Sequence, residues 1–296
     1  MRNLALWAVA AGLTCVGALV APTAQAVVLS STDFESFALG SVNGQGGWSV
    51  TGGYDQEVVN DGGNKAFRLS DAVTSGSFGD QTFAPRPGGT GMTSSNPTNS
   101  NPGFFAGQSS TGATYNRYLL GFDFKSATQQ NQDGAFLSVS ADNGQGGRQT
   151  YLGITANGTN LDLITYNVDT TGNFVGPISL GLVAGSVWSH VDFVLDFGNG
   201  LNDDIVTIAL NGTPVHTGTS WEQYYVINQP LLHPLGVPVQ TAIFMARATA
   251  NPSHLGGGFL FDNVQVEATS TVPEPVSLAL LGIGLTALGF SRRRRS

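Results

Sequence analysis

The stretch that decides the fold is residues 187–212, VWSHVDFVLDFGNGLNDDIVTIALNG. Each of its halves places an apolar side chain at every second position, which is typical of a β-strand with one buried face. The apolar positions are Val191, Phe193, Leu195 and Phe197, then Val206, Ile208 and Leu210. The stretch ends in Asn211-Gly212, a pair that favours a tight hairpin turn. It therefore predicts two antiparallel strands that each bury one face in a core.

The same alternation recurs on both sides of this stretch. In residues 117–125, the side chains of Tyr118, Leu120, Phe122 and Phe124 fall on one face. Further strands are predicted at 54–59, 65–70, 80–83, 135–141, 150–156, 161–166, 240–249 and 258–268. Turns rich in Gly and Asn separate them, including NGQGG at 143–147, and no amphipathic helix is evident. The pattern predicts an all-β fold, a two-sheet antiparallel β-sandwich.

One part of this pattern is similar to a known family. Trp188-Ser189-His190-Val191, the alternating strand that follows, and the strand that ends in Asn211-Gly212 together resemble the central region of laminin-G and concanavalin-A-like jelly rolls. The resemblance implies two curved antiparallel sheets. Members of that family bind glycans or other proteins, or hydrolyse polysaccharides, and the resemblance does not choose among these activities.

The composition limits the classes of partner. Residues 27–271 carry 7 basic and 19 acidic residues, a formal net charge of −12. This charge argues against nucleic acid, which binds to basic surfaces. The one cysteine, Cys15, lies in the N-terminal segment, so the rest of the chain has no disulfide and no thiolate metal site.

The N-terminal segment predicts export. Met1-Arg2 is a positively charged start, residues 4–20 are apolar, and an A-x-A pattern ends at Ala26. These features predict a signal peptide at residues 1–26, formed as a helix and handled by the Sec export machinery. Residues 27–271 then form one β-sandwich domain. Within it, residues 84–116 form a long Gly/Pro/Ser/Asn loop, too long for a routine turn.

The C-terminal residues 272–296, VPEPVSLALLGIGLTALGFSRRRRS, combine a Pro-Glu-Pro break, an apolar helix and an arginine run. This order resembles the PEP-CTERM sorting signal. The matching residues are Pro273, Glu274, Pro275, Arg292, Arg293, Arg294 and Arg295. The resemblance implies a transmembrane segment anchored transiently in the inner membrane with its C-terminus in the cytoplasm. An exosortase then processes it and passes the protein to the cell surface or extracellular matrix.

The alternative for this tail is an ordinary permanent anchor. Its 15 apolar residues, 276–290, would span about 22 Å as a helix, short of the roughly 30 Å hydrocarbon core. The short span favours a processed signal.

Catalytic motifs are missing from the sequence. There is no Glu-x-Asp-x-x-Glu strand of the kind found in jelly-roll hydrolases, and no Gly-x-Ser-x-Gly elbow. The four histidines, His190, His216, His233 and His254, lack metal-ligand spacing. We therefore expect a protein that is not an enzyme.

Two candidate sites remain. Trp188, His190 and Asp192 share one strand face, where an aromatic ring and a carboxylate could bind a glycan; the alternative is a half-exposed face without a ligand. Asp262 shares a parity with apolar residues of its strand, so it would be buried and need a partner. A structural Ca²⁺ held by Asp262, Glu35 and backbone carbonyls would supply one; the alternative is an Asp at the strand edge that accepts backbone N–H groups or contacts solvent.

The sequence thus predicts an exported cell-surface or extracellular-matrix protein, non-catalytic, that binds glycan or exopolysaccharide or mediates adhesion. One alternative is a polysaccharide hydrolase or lyase with an unrecognised site. A second alternative is a structural matrix protein without a ligand.

Overall fold

The computed structural model is described over residues 26–74, 80–85, 116–128, 130, 132–144, 146–198, 203–230, 239–246 and 249–269. The predicted signal peptide, most of the loop at 84–116, His233 and the sorting residues at 272–296 lie outside these ranges. Within them, no helix is long and apolar enough to cross a membrane.

Fifteen strands and one short α-helix make up the described chain. In chain order they are β1 (Ala26–Thr32), β2 (Ser49–Thr51), β3 (Gln56–Asp61), β4 (Asn64–Leu69), β5 (Gln81–Phe83), β6 (Arg117–Ser126), β7 (Phe136–Asp142), β8 (Leu152–Asn157), β9 (Asn160–Val168), β10 (Phe174–Ala184), β11 (Ser189–Asp196), β12 (Ile205–Leu210), β13 (Thr213–Gly218), α1 (Glu222–Asn228), β14 (Thr241–Ala246) and β15 (Phe259–Thr269). A single 3₁₀ turn at Pro252–His254 precedes β15.

The strands form two antiparallel sheets. The larger sheet has eight strands in the order β13-β12-β11-β6-β15-β4-β3, with β1 also paired to β15. The smaller sheet has seven strands in the order β10-β9-β8-β7-β14-β5-β2. The described chain is therefore an all-β two-sheet sandwich with little helix, which confirms the predicted fold class at this level.

The core lies between the sheets and follows the predicted alternation. The inward residues of β6 and β11 are fully buried: Tyr118, Leu120, Phe122 and Phe124, then Val191, Phe193 and Leu195. Phe244 of β14 reaches them from the smaller sheet, with its ring 5.0 Å from that of Phe261 and 6.0 Å from that of Phe122. Each buried side chain of this size stabilises the fold by about 1.5–3 kcal/mol.

Five elements lie outside the predicted ranges: the strands β1, β2, β10 and β13, and the helix α1. The helix α1 contradicts the expectation of a helix-free domain; it is seven residues long, too short for a helical period to show in the sequence. The strand β10 is an edge strand whose residues are mostly exposed on both faces, so no period of two marks it. For β10 and α1, edge position and shortness explain why the sequence shows no clear period.

Asp262 is buried, at 6% exposure, as its parity predicts, but it does not face the core. Register shifts between Asp262 and Gln265, and Asn263 adopts a left-handed φ of 48° at this β-bulge. Before the bulge Phe259 and Phe261 face the core, and after it Val264 takes that role. Asp262 therefore lies beside Asp123 on the outer face of the larger sheet, because the extra residue changes the parity of the strand.

Candidate functional site

Each sheet has an outer face that the core does not use, and polar side chains gather on both. We call the outer face of the larger sheet the charged face; it is defined by Asp123, Lys125, His190, Asp192 and Asp262. We call the outer face of the smaller sheet the polar face. It is defined by Gln81, Ser138, Ser140 and Asp142, which the pairing of β5, β14 and β7 sets side by side.

On the charged face, His190 is held between two aspartates. Its Nδ1 lies 2.7 Å from Asp123 Oδ1 and its Nε2 lies 3.0 Å from Asp192 Oδ1. Partial burial alone lowers the pKa of His190, but hydrogen bonds to both carboxylates and their charges outweigh it and raise the pKa above its ordinary value. A neutral imidazole has one N–H, so both contacts are hydrogen bonds only when His190 is protonated.

Trp188, the predicted aromatic partner, lies at the start of the same strand face. The Lys125 ammonium is 4.9 Å from the centre of the Trp188 ring, and it also pairs with Asp61 at 2.7 Å. The structure thus brings Trp188, His190 and Asp192 onto one surface and adds Asp123 and Lys125 to it. Glycan binding by these residues stays a prediction.

The predicted Ca²⁺ ligands also lie close to one another. Asp262 Oδ2 accepts a hydrogen bond from Asn64 Nδ2 at 2.8 Å, and Glu35 Oε1 accepts one from the backbone N–H of Lys65 at 2.8 Å. Burial first, and then the charges of Asp123 and Glu35, raise the pKa of Asp262, partly offset by its two hydrogen bonds. Two carboxylates in reach of each other fit the oxygen ligands that Ca²⁺ takes. A Ca²⁺ at this pair stays a prediction.

The polar face is an ordered row that crosses all seven strands of the smaller sheet. Successive pairing partners are Thr51, Gln81, Met245, Ser138, Gly153, Ile164 and Ser179. Ser140 and Asp142 lie beside this row, and Gln81, Ser138, Ser140 and Asp142 are all at most 2% exposed. Among the described residues, Ser140 Oγ and Gln81 Oε1 have no hydrogen-bond partner. Leaving such a buried atom unsatisfied costs about 1–3 kcal/mol.

The turn at residues 143–147 folds back over Asp142. Asp142 Oδ1 accepts hydrogen bonds from Gly144 N at 2.5 Å and Gly146 N at 3.1 Å. Gly146 has a left-handed φ of 88°, and a Cβ there would lie 3.4 Å from Gln81. The predicted turn is confirmed, and it lies against the polar face rather than in solvent.

Arg148 and Tyr225 lie over the same face. The backbone N–H of Arg148 donates to the Tyr225 hydroxyl at 2.7 Å, and Arg148 Nη2 is 2.7 Å from Met245 Sδ. Burial raises the pKa of Tyr225, so its phenol is neutral at physiological pH. A carboxylate, a guanidinium and a phenol are therefore gathered at one end of the polar face.

Six aromatic rings continue the polar face towards β10. Neighbouring ring centres are 4.6–5.8 Å apart along the series Tyr166, Tyr151, Trp221, Phe174, Tyr224 and Tyr225, which we call the aromatic row. Helix α1 and the turn before β10 hold it, because Asn228 Nδ2 donates to the Gly172 carbonyl at 2.9 Å. The row begins at the buried Tyr225 and reaches the surface at Phe174.

Three carboxylates lie beside the aromatic row. Carboxylate oxygens of Asp203, Asp204 and Glu222 lie within 4.8 Å of one another. Asp204 accepts hydrogen bonds from Ser220 Oγ at 2.6 Å and Gly198 N at 3.0 Å, and burial raises its pKa. Because Glu222 flanks Trp221, the group adds negative charge to this end of the smaller sheet.

Sequence reasoning missed the polar face and the aromatic row. Ser138, Ser140 and Asp142 alternate with core residues of β7, a pattern that also describes an ordinary solvent-facing strand side. The available clue was the aromatic content of residues 221–225, WEQYY, in a chain with few aromatic clusters.

The C-terminal segment matches a family model. Residues 271–295 match the PEP-CTERM protein-sorting motif, which confirms the resemblance noted in the sequence. The motif implies export, transient membrane anchoring at the C-terminus and processing by an exosortase. No curated protein matches the chain.

Solved structures with a similar fold are β-sandwich proteins of the jelly-roll type. They include an endo-1,3-β-glucanase from Streptomyces sioyaensis, with 15% identity, a TM-score of 0.45, and coverage of 85% of this chain and 99% of that one. An alginate lyase from Pseudomonas aeruginosa has 11% identity, a TM-score of 0.40 and coverage of 73% and 86%. The CBM2 module of the evolved Dit of Lactobacillus casei BL23 phage J-1 has 10% identity and a TM-score of 0.44, and the match covers 86% of this chain and 100% of that one. At these identities the likeness concerns the fold alone.

The expectation that the protein is not an enzyme is wrong. Lyases and a glucanase stand among the structures that this fold resembles, so an absent Glu-x-Asp-x-x-Glu strand does not exclude catalysis. Carboxylates and phenols that come together from separate strands and a helix leave no such linear motif.

Proposed function

We propose that this exported protein recognises a polysaccharide on the outer side of its smaller sheet, where the buried polar face adjoins the partly exposed aromatic row. The observation that carries the proposal is the row of polar side chains on the outer side of the smaller sheet, buried beside the small apolar cluster of Phe83, Ile243 and Met245. A sandwich needs one apolar face per sheet, and burying Gln81, Ser138 and Ser140 on the other side costs free energy. We attribute that cost to ligand recognition.

A polysaccharide fits the chemistry of this face. Sugar hydroxyls both donate and accept hydrogen bonds, as do serine hydroxyls and the glutamine amide. Ligand sites commonly combine a few placed polar groups with aromatic walls, and the aromatic row adjoins the polar face. Export places the protein where such polymers occur.

Cleavage of the polymer is a second candidate function. Asp142, Arg148 and Tyr225 bring a carboxylate, a guanidinium and a phenol to one end of the face. Breaking a glycosidic bond needs positioned acid and base groups of this kind. The wild type and the variants of the binding experiment below are therefore also assayed for release of reducing and unsaturated sugar ends.

The experiment compares Ser140→Ala and Gln81→Leu with Thr82→Val. Thr82 is the neighbour of Gln81 on the core side of β5, where it hydrogen-bonds the Tyr54 hydroxyl. We expect both polar-face variants to lower affinity for a panel of polysaccharides about 2- to 12-fold, the value of a lost hydrogen bond, without loss of thermal stability. Thr82→Val should unfold at a lower temperature and bind normally.

Equal binding by the wild type and both polar-face variants would remove the polar face as the site. The charged face is then the remaining candidate, and Trp188→Ala and Asp192→Asn test it in the same assay. Loss of stability in the polar-face variants, equal to that of Thr82→Val, would assign the polar face to folding instead.

A further inference from the structure

The aromatic row reaches solvent at Phe174, within the series rather than at one of its ends. Phe174 is 44% exposed, and the partly buried Tyr224 lies beside it with ring centres 4.8 Å apart. Trp221 supports Phe174 from below in an edge-on contact at 4.6 Å. A large exposed ring that is fixed by two others is a rigid platform, because its rotamers are already restricted.

The row is continuous with the polar face. Trp221 N donates to the Gln149 carbonyl at 3.1 Å, and Tyr225 accepts the Arg148 N–H at 2.7 Å. The polar face itself is at most 2% exposed, so Phe174 and Tyr224 are the part of this side of the sheet that an external ligand can reach. Their fixed rings lie beside carboxylates, which favours the apolar face of an uncharged sugar as the occupant.

The flat ring face selects the shape of the sugar. A pyranose whose hydroxyls are all equatorial presents axial C–H bonds on both of its faces. Those C–H bonds lie against the electron-rich face of an aromatic ring, and the contact also buries apolar area. An axial hydroxyl would point into the ring and lose its water without gaining a partner.

The charges near the row select the charge of the sugar. Asp169 lies in the turn before Phe174, and the carboxylates of Asp203, Asp204 and Glu222 lie beside Trp221. Residues 27–271 carry a formal net charge of −12. A polyuronate would bring a carboxylate on each sugar into this field and be repelled, most strongly at low salt.

We infer that Phe174 and Tyr224 form a stacking subsite for a neutral polysaccharide of equatorially substituted pyranoses, and that polyuronates are excluded. The inference rests on the proposed function, since the polymer is the one recognised on the outer side of the smaller sheet. It adds a substrate class that the fold does not supply.

The test measures affinity of the purified full chain for a soluble neutral β-glucan and for polygalacturonate, at low and high salt. Phe174→Ala is compared with Leu182→Ala, which removes an exposed side chain of the same strand away from the row. We expect Phe174→Ala to weaken glucan binding roughly tenfold, Leu182→Ala to change it less than about twofold, and Phe174→Tyr to retain it. Polygalacturonate should not bind at low salt.

Two results would overturn the inference. One is equal glucan affinity of Phe174→Ala and Leu182→Ala; the other is polygalacturonate binding at low salt as tight as glucan binding. If Ser140→Ala weakens glucan binding while Phe174→Ala does not, the stacking subsite fails and the polar-face proposal stands. If the wild-type chain binds none of the polymers, both fail.

Discussion

The two outer faces of this sandwich treat their polar residues in opposite ways. On the charged face, His190 and Asp192 are each 41% exposed; they pair with each other within β11, and His190 also pairs with Asp123 of the neighbouring β6. On the polar face, Gln81, Ser138 and Ser140 are neutral and buried, and two of them keep an atom without a partner among the described residues. Both faces have the same alternating sequence pattern.

The difference shows which polar residues lower the stability of the fold. Exposed ion pairs contribute little, typically below about 1 kcal/mol, and other charged residues could replace them. Buried polar atoms without partners destabilise the fold, and apolar residues of the same size would be more stable. A costly arrangement that folding does not require is the better guide to function, and this favours the polar face.

A pair of glycine substitutions should show the largest difference in packing between the two outer faces. A Cβ at Gly153, on the polar face, would lie 2.7 Å from Ile164 and 3.1 Å from the Tyr151 ring. One at Gly121, on the charged face, would lie no closer than 3.2 Å to any atom, the nearest being Asp192 Oδ1. We expect Gly153→Ala to lose about 1–3 kcal/mol of unfolding free energy through overpacking. Gly121→Ala should be neutral or slightly stabilising. Urea unfolding of both variants measures this.

Equal loss in the two variants would mean that the polar face is no more closely packed than the charged face. In that case the burial of its polar row would not reflect a preformed surface, and the argument for a ligand there would lose its basis.

The sequence predicted the strands whose two sides differ. In β6, β11 and β12 large apolar core residues recur at every second position, so the period of two is visible without any structure. Edge strand β10 buries only Leu180, and α1 is too short to show a helical period, so neither could be predicted.

The site was less predictable for a different reason. Burial of Ser140 on the outer side of β7 depends on the tertiary structure, which also brings Tyr225 of α1 to the backbone of Arg148 beside this face. Asp262 was misplaced because one extra residue at Asn263 changes the strand parity, and a bulge has no mark in an alternating sequence. Burial by distant parts of the chain and strand register are set by the tertiary structure, so a local sequence pattern does not reveal them.

Calcium tests the charged face at the pair Glu35 and Asp262. If the ion binds there, free Ca²⁺ at ten times its Kd stabilises the fold by about 1.4 kcal/mol. Thermal unfolding with Ca²⁺ and with a chelator should then differ by a few degrees, and Asp262→Asn should abolish the difference. Asp133→Asn, an exposed acidic position outside this pair, is the control. Equal unfolding temperatures with and without Ca²⁺ would contradict the prediction.

The smallest expected effect is the pH dependence of His190. Its raised pKa means that its stabilising contribution is complete below the unfolded value of about 6.5 and is lost as the pH rises through the folded pKa. The stability advantage of the wild type over His190→Gln should therefore fall between pH 5 and pH 8. Exposure and salt screening keep the effect small.

His216 supplies the matched control because burial lowers its pKa. The sign reverses: any contribution of His216 is present above the unfolded pKa and is lost as the pH falls, so the advantage of the wild type over His216→Gln should rise from pH 5 to pH 8. NMR titration of the two imidazoles reports the pKa values directly. Slopes of the same sign for both variants would show that Asp123 and Asp192 do not hold His190 in its protonated form, and the charged face would then lack the electrostatic pairing that separates it from the polar face.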